Sequence, residues 1–227
     1  MKKRSKRYKE ATKPLQEGKT YPLQEAVTLI KSLSNTKFDS SVELHFYLNV
    51  DPKKADQMVR GTIVLPHGTG KKVTIAVFAK GEQEKQARES GADYAGGADL
   101  IEKVSKGFMD FNCAIATPEM MKDLSRLGKV LGPRGLMPSP KTGTVTNDVK
   151  LAIEQVRKGK VEYKVDKQGG IHLSVGKAGF TEKQLLENAS CLLEAINSAR
   201  PASIKGHYIK SIFLSSTMGP GLRLESK

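Results

Sequence analysis

The sequence predicts a mixed α/β (α+β) protein with two domains, and three observations support this class. Strands in which apolar and polar residues alternate occur near both ends of the chain, as in an antiparallel sheet with one solvated face. The middle of the chain instead has continuous apolar runs between helical patterns, which is typical of a small, Rossmann-like parallel sheet. A length of 227 residues is also sufficient for two compact domains.

The chain begins with a basic, polar lead-in at residues 1–19. It contains Lys or Arg at positions 2, 3, 4, 6, 7 and 9 and has no periodic apolar face. Because these charges repel one another, we expect a flexible tail that becomes ordered on a polyanion. A tail that only increases solubility is the alternative.

The first regular elements follow from Pro22. Apolar residues recur at helical spacing from Leu23 to Leu33, which predicts a helix with Pro22 in its first turn. Residues 41–49 alternate cleanly and predict a half-buried strand. A short helix is expected to begin at Asp51-Pro52, and a second strand is predicted at 60–65.

The middle segment has a different pattern. Residues 73–79 and 113–116 are continuous apolar runs, which predict strands covered on both faces. The glycine-rich stretch 91–97 is predicted to be a turn. Helices are predicted at 82–90, 98–106, 147–157 and from Thr117-Pro118 onward.

Alternation returns after residue 160. Residues 161–166 and 171–175 are separated by Gln168-Gly169-Gly170, which predicts a β-hairpin with one polar face. A long amphipathic helix at 181–199, with Thr181 as N-cap, and a last strand at 208–215 complete the pattern.

These elements favour a discontinuous organisation. Residues 1–67 and 160–227 are predicted to form one α+β domain, whose antiparallel sheet uses both chain ends, with residues 68–159 inserted as an α/β domain. Neither set of half-buried strands makes a complete sheet alone. The glycines at the two crossings (Gly68, Gly70 and Gly159) predict a hinge, because glycine absorbs dihedral changes easily. Two sequential domains divided near Pro140 are the alternative.

The net charge of +14 and pI near 9.7 favour a polyanionic partner, for which nucleic acid is the best candidate. No apolar run has the roughly 20 residues of a spanning helix, so no membrane association is expected. The outer segments contain 23 basic and 13 acidic residues, a net charge of +10, whereas residues 68–159 contain 15 and 11, a net charge of +4. The polyanion site is therefore expected on the outer domain. Cys113 and Cys191 are expected to be reduced.

No pattern in the sequence predicts an enzyme, a cofactor or a metal site. Gly68-Thr-Gly-Lys71 fails the P-loop spacing, because that motif requires Gly at 65 and Ser or Thr at 72, where this chain has Leu and Lys. The four histidines lie on separate predicted elements without metal-ligand spacing.

A polar strand face is the best candidate binding surface. If the strands at 41–49, 161–166, 171–175 and 208–215 form one sheet, its solvent side has mainly short polar groups, which suit recognition of folded RNA. An ordinary solvated face is the alternative. Ser211 can face either side, because Ile212-Phe213-Leu214 does not alternate. The expected residues of this face are Ser41, Glu43, His45, Lys164, Asp166, His172 and Ser174.

Four passages, in the same order along the chain, resemble the ribosomal protein L-one family of bacterial type. The most diagnostic is Gly132–Pro140, a proline- and glycine-rich loop that presents Arg134. The others are Lys37–Leu44, Asp51–Gln57 leading into Arg60–Gly68, and Thr217–Gly221. The resemblance covers almost the whole chain.

The resemblance implies a structural constituent of the large, 50S-type ribosomal subunit that binds large-subunit (23S-type) rRNA at the mobile stalk. It also implies contact with deacylated tRNA leaving the exit site and repression of the protein's own operon through mRNA binding. Such a protein is cytoplasmic, on the ribosome, and a monomer when free. An extraribosomal, sequence-tolerant RNA-binding protein and a nucleotide-dependent enzyme built on residues 68–159 are the alternatives.

Transferred position by position, the family's RNA contacts form a set that largely overlaps the polar face. They are Phe38, Ser41, His45, Lys164, Asp166, Lys167, Gly169, His172, Ser211, Thr217, Met218 and Gly219.

Overall fold

The computed structural model describes residues 4–16, 18–204 and 206–225, and the chain divides into two compact units. Unit 1 consists of Met1–Gly70 and Val161–Lys227, and unit 2 of Lys71–Lys160. The sequence analysis had placed the domain boundaries at 67/68 and 159/160. Gly68, Gly70 and Gly159 have φ values of 64°, 70° and 94°, which favour glycine. Their role as a hinge stays a prediction.

Unit 1 contains a four-stranded antiparallel sheet and a separate two-stranded sheet. Its helices are α1 (Lys6–Thr12), α2 (Leu23–Leu33) and α8 (Glu182–Ser198), and a 3₁₀ turn lies at Ala55–Gln57. Its strands are β1 (Ser41–Leu48), β2 (Arg60–Val64), β6 (Lys160–Lys164), β7 (Gly170–Lys177), β8 (Ile209–Ser216) and β9 (Gly221–Leu224).

The four-stranded sheet has the order β7-β1-β8-β9, and α2 and α8 pack on one of its faces. The alternating residues Val42, Leu44, Phe46 and Leu48 are at most 1% exposed, as the pattern of β1 predicted. They share one core with the apolar faces of both helices. Thr181 and Gln184 form a capping box at the start of α8, which confirms the predicted N-cap.

The predicted hairpin of residues 161–175 is wrong. Strand β6 pairs with β2. The pairing extends one residue beyond the strands, because Val165 N–H donates to Val59 O at 2.9 Å. The fourth strand of the main sheet is β9, which the sequence analysis missed. Only two apolar residues, Leu222 and Leu224, alternate in it. Alternation specifies the faces of a strand but not its partner, so β6 was assigned to the wrong sheet.

The described part of the basic lead-in is not a free tail, contrary to expectation. Ser5 caps α1 by accepting from Tyr8 N–H at 3.3 Å. Ala11 is 7% exposed and Leu15 packs against the core of unit 1, so a small apolar contact anchors the helix. Lys2 and Lys3 lie outside the described residues.

Unit 2 contains a three-stranded parallel sheet of order β4-β3-β5 with apolar layers on both faces. Its strands are β3 (Ile75–Phe78), β4 (Tyr94–Gly96) and β5 (Cys113–Ala116). Its helices are α3 (Glu82–Glu89), α4 (Ala98–Ser105), α5 (Met121–Leu124), α6 (Gly128–Leu131) and α7 (Val149–Arg157), with 3₁₀ turns at Pro118–Met120, Ser125–Leu127 and Pro140–Thr142.

Two features of unit 2 differ from the prediction. The stretch 91–97 contains β4 rather than only a turn, because parallel pairing with β3 orders a strand of three residues. The helix expected from Thr117 onward is divided into α-helical and 3₁₀ turns. Its leucines at helical spacing, Leu124, Leu127 and Leu131, are nevertheless buried.

Together, the two units confirm the mixed α/β (α+β) class. Within the described parts of the chain, no helix combines the length and apolar character needed to span a bilayer.

Asn188 joins three parts of unit 1. This fully buried side chain of α8 accepts from His67 N–H at 3.1 Å and donates to Gly68 O at 2.9 Å and Val175 O at 2.7 Å. It thus satisfies backbone groups of β7 and of the segment that leaves unit 1.

We expect Asn188→Leu to lower the free energy of unfolding by about 2–4 kcal/mol, because it leaves several buried polar groups without partners. Urea denaturation measures this change. Asn197→Ala, at an exposed site on the same helix, is the matched control and should stay within about 0.5 kcal/mol of the unaltered protein. Equal effects of the two substitutions would contradict this role of Asn188.

Candidate nucleic-acid interface

The face of the four-stranded sheet opposite α2 and α8 carries the candidate site. Residues that pair directly across antiparallel strands share a face. His45 of β1 lies opposite His172 of β7 and Phe213 of β8. Ser211 lies opposite Tyr47, which places Ser211 on this face and resolves the ambiguity left by the sequence.

A row of polar side chains crosses this face over three strands. His45 Nε2 lies 2.8 Å from Ser215 Oγ, and His45 Nδ1 lies 2.9 Å from His172 Nδ1. His172 Nε2 lies 3.7 Å from Asp166 Oδ2. We call Ser215, His45, His172 and Asp166 the polar row. The sequence placed its two histidines on this face but did not include Ser215.

Two neutral imidazoles satisfy these contacts. In the tautomer assignment that does so, Ser215 donates to His45 Nε2 and His45 Nδ1–H donates to His172 Nδ1, which leaves the N–H at His172 Nε2 facing the Asp166 carboxylate. Partial burial lowers the pKa of His45 below its ordinary value, and the proximity of His172 lowers it further, although Glu43 opposes the shift. The neutral form is therefore favoured at the centre of the row.

Asp166 begins the turn that leads into β7. Its Oδ1 accepts from Gly170 N–H at 2.7 Å and Gln168 N–H at 2.8 Å, and these two bonds lower the pKa of the carboxyl group. Gly169 has a φ of 85°, and a Cβ there would lie 3.0 Å from Leu48 O. The turn therefore requires glycine where it passes β1.

The loop after β8, Thr217–Gly219, is called the end loop and is held against the start of β1. Thr217 Oγ1 accepts from Ser41 N–H at 3.0 Å and donates to Ser41 O at 3.2 Å, while Thr217 N–H donates to the same carbonyl at 2.9 Å. Ser41 is only 8% exposed and accepts from Lys177 Nζ at 3.0 Å. Thr217 and Ser41 thus position the loop, and Ser41 is covered there rather than solvated as expected.

Met218 is the most exposed part of the end loop. Its side chain is 67% exposed, and its φ of 65° is the one positive value among the described non-glycine residues. Arg7 of α1 donates to Met218 O at 3.0 Å, and Gly219 N–H donates to Ser216 O at 2.8 Å. A side chain at 219 would collide with Ser216 Oγ, so glycine is needed there. A left-handed, solvent-exposed methionine indicates a functional constraint.

The remaining candidates flank this surface. Phe38 is 56% exposed just before β1, and Lys167 is exposed on the turn that Asp166 begins. Lys164 is exposed on β6, so the structure does not place it on the four-stranded sheet. The described residues contain no group of three His, Cys, Asp or Glu side chains suited to holding a metal ion.

Besides Ser215, the sequence analysis missed three residues of the surface. Arg7 was assigned to a flexible tail, although it contacts the end loop. Phe213 and Arg223 lie opposite each other on β8 and β9, and Phe213 is 38% exposed. Their shared face follows from the pairing of β8 with β9, which the sequence analysis had not recognised as a strand.

We expect His45 to titrate below 6.5, its ordinary value, in NMR spectra of the folded protein. Because the unfolded state then binds the proton first as pH falls, the stability due to neutral His45 is complete above pH 6.5 and decreases below it. Comparison with His45→Gln identifies the NMR signal of the His45 ring. The same substitution should reduce the pH dependence of the free energy of unfolding, measured by urea denaturation, between pH 5 and 7. A His45 midpoint above 6.5 would contradict this prediction.

Comparisons with known proteins agree with one another over nearly the whole chain. The model of the Ribosomal protein L1p/L10e family matches residues 30–220. The chain is 53% identical over 223 residues to the "Large ribosomal subunit protein uL1" of Onion yellows phytoplasma (strain OY-M), an alignment that covers 98% of this chain and 97% of the relative. It is 52% identical over 225 residues to the protein of the same name from Thermosipho melanesiensis, with coverage of 99% and 97%. This chain belongs to the Ribosomal protein L1p/L10e family.

Proposed function

We propose that this chain is a structural protein of the large ribosomal subunit and binds rRNA of the stalk through unit 1. The observation that carries the proposal is the similarity to proteins named large ribosomal subunit protein uL1, which spans 98% of the chain at 53% identity.

The geometry of the four-stranded sheet supports RNA as the ligand. Its exposed face offers imidazole, hydroxyl and carboxylate groups with fixed orientations, held by the polar row. Fixed groups of this kind suit a folded RNA whose phosphates, 2′-hydroxyls and base edges are recognised together. Lys167 and Arg223 are exposed around the face and can neutralise phosphates, and Lys164 is exposed on β6 of the other sheet.

The end loop supports the same assignment. The hydroxyl of Thr217 forms its hydrogen bonds with the backbone of Ser41, so the role of Thr217 is to position the loop. Met218 then projects a flexible apolar side chain that can pack on a base or ribose. The proposed RNA contacts are therefore divided between residues that touch RNA and residues that hold them.

The finer parts of the proposal come from the family resemblance. They are contact with deacylated tRNA leaving the exit site and repression of the chain's own operon by mRNA binding. An mRNA element that mimics the rRNA site would compete for the same face and end loop. Movement about Gly68, Gly70 and Gly159 is part of this proposal, because each of these residues tolerates large dihedral changes.

We expect Met218→Gly to separate stability from binding. Glycine relieves the left-handed strain of about 1–2 kcal/mol, so the free energy of unfolding should stay unchanged or rise. Loss of the side chain should weaken binding to a stalk rRNA fragment about 5-fold or more. Filter binding at fixed salt and urea denaturation measure the two quantities. Equal RNA affinity of Met218→Gly and the unaltered chain would remove Met218 from the interface.

We also expect unit 1 to bind the rRNA without unit 2. Replacing residues 71–160 with a short Gly/Ser linker should leave a folded module that retains most of the preference for the stalk fragment over unrelated structured RNA. The linker would join Gly70 to Val161, where the chain crosses between units. Arg134→Ala in the full chain is the matched control and should leave affinity for isolated rRNA nearly unchanged.

Circular dichroism and filter binding with several RNAs check this prediction. A module that folds but binds all RNAs alike would favour the alternative of a sequence-tolerant RNA-binding protein.

A further inference from the structure

A groove of about 440 Å³ lies next to the end loop in unit 1. One side is formed by α1 and the segment that follows it, including Tyr8 and Lys19, and the other by β8 and β9, including Phe213 and Arg223. This volume is within the range of about 300–1,000 Å³ that is usual for small-ligand sites, which includes a single nucleotide.

An aromatic ring is accessible within this groove. Phe213 is 38% exposed in the interior of a strand, where a phenylalanine is ordinarily covered. Gly221 lies beside it and has no side chain to shield the ring, since a Cβ there would approach Phe213 Cδ1 to 3.8 Å. The groove thus offers a flat apolar surface on which a planar ligand can stack.

The charges around the ring favour an anion. Arg223 lies directly opposite Phe213 in the β8–β9 register, and Lys19 lines the same groove. None of the described lining residues is Asp or Glu. A second groove, which shares Lys19 and Tyr21 with this one, includes Glu25 in its lining, so it is less suitable for a phosphate.

The groove is continuous with the proposed RNA surface. Pro220, one of its lining residues, directly follows the end loop. Arg7 of α1, the helix that forms the opposite side, donates to Met218 O at 3.0 Å. An RNA strand that contacts Met218 therefore has the groove within reach of its next nucleotides.

We propose that this groove holds one unpaired nucleotide of the bound RNA. Its base stacks on Phe213, and Arg223 and Lys19 neutralise the flanking phosphates. The chemistry is that of single-stranded recognition, in which an aromatic ring and cations hold an extruded base. The inference rests on the proposed function and adds to it that the RNA element has an unpaired base next to the nucleotides at the end loop.

The test uses the full chain and a stalk fragment of large-subunit rRNA. Each unpaired nucleotide of the fragment is replaced in turn by an abasic one, and affinity is measured at fixed salt. We expect one replacement to weaken binding about 5- to 150-fold, the effect of losing one base–aromatic stack. Phe213→Val should weaken binding of the intact fragment similarly and should abolish the penalty at that one position.

Two further variants make the test specific. Gly221→Val fills the groove without removing a ring or a charge. Gly221 has no positive φ, so the backbone accepts a valine there. This variant should therefore also abolish the abasic penalty. Tyr47→Val removes another exposed aromatic residue from the same sheet face and is the matched control. It should leave the abasic penalty as large as in the unaltered chain. Thermal unfolding confirms that all three variants are folded.

The possible results distinguish failure of this inference from failure of the proposed function. Specific binding of the stalk fragment with the same abasic penalties in Phe213→Val and Gly221→Val as in the unaltered chain would overturn the inference alone. An unaltered chain that shows no preference for the stalk fragment would overturn the proposed function and this inference with it.

Discussion

The antiparallel pairing of β1 with both β7 and β8 is the interaction on which the rest of unit 1 depends. It places one early strand between two strands from the far end of the chain. The core beneath the sheet forms because the apolar side chains of β1 meet those of its two neighbours and of α2 and α8. The polar row forms on the opposite side from the same pairing, with His45 as its centre. The same register therefore determines which residues form the core and which form the candidate interface. A shift of one residue would exchange these two sets of residues.

The end loop shows how the fold maintains a conformation that its sequence disfavours. A left-handed methionine is strained by about 1–2 kcal/mol, and it persists only where neighbouring contacts determine the backbone. Here Ser41 fixes the residue before Met218, Arg7 fixes its carbonyl group, and a tight turn fixes the residue after it. Two of these contacts come from distant parts of the chain and one is a local turn, so tertiary structure helps to hold a backbone that methionine disfavours.

The sequence predicted the faces of the elements better than it predicted their partners. The alternation of β1 and the capping residue Thr181 were sufficient because each is a local pattern. The placement of β6 was wrong, and β4 and β9 were missed, because strands of three to five residues are determined by pairing across the chain. For the candidate site, the strand pattern indicated His45 and His172, whereas Ser215 and Phe213 became apparent only from the register of β8. Arg7 could not have been found, since its neighbours suggested a charged tail.

The order of the strands along the chain also determines when this surface first exists during synthesis. Ser41 and Thr217, which hold the end loop together, are separated by 176 residues. A ribosome that adds about 5–20 residues per second needs roughly 10–35 s to make the second partner after the first. Unit 2 lies between them and builds its sheet from neighbouring segments, so it can fold earlier. A nascent chain, or one truncated before β8 and the end loop, therefore lacks the assembled RNA surface and cannot compete for the RNA.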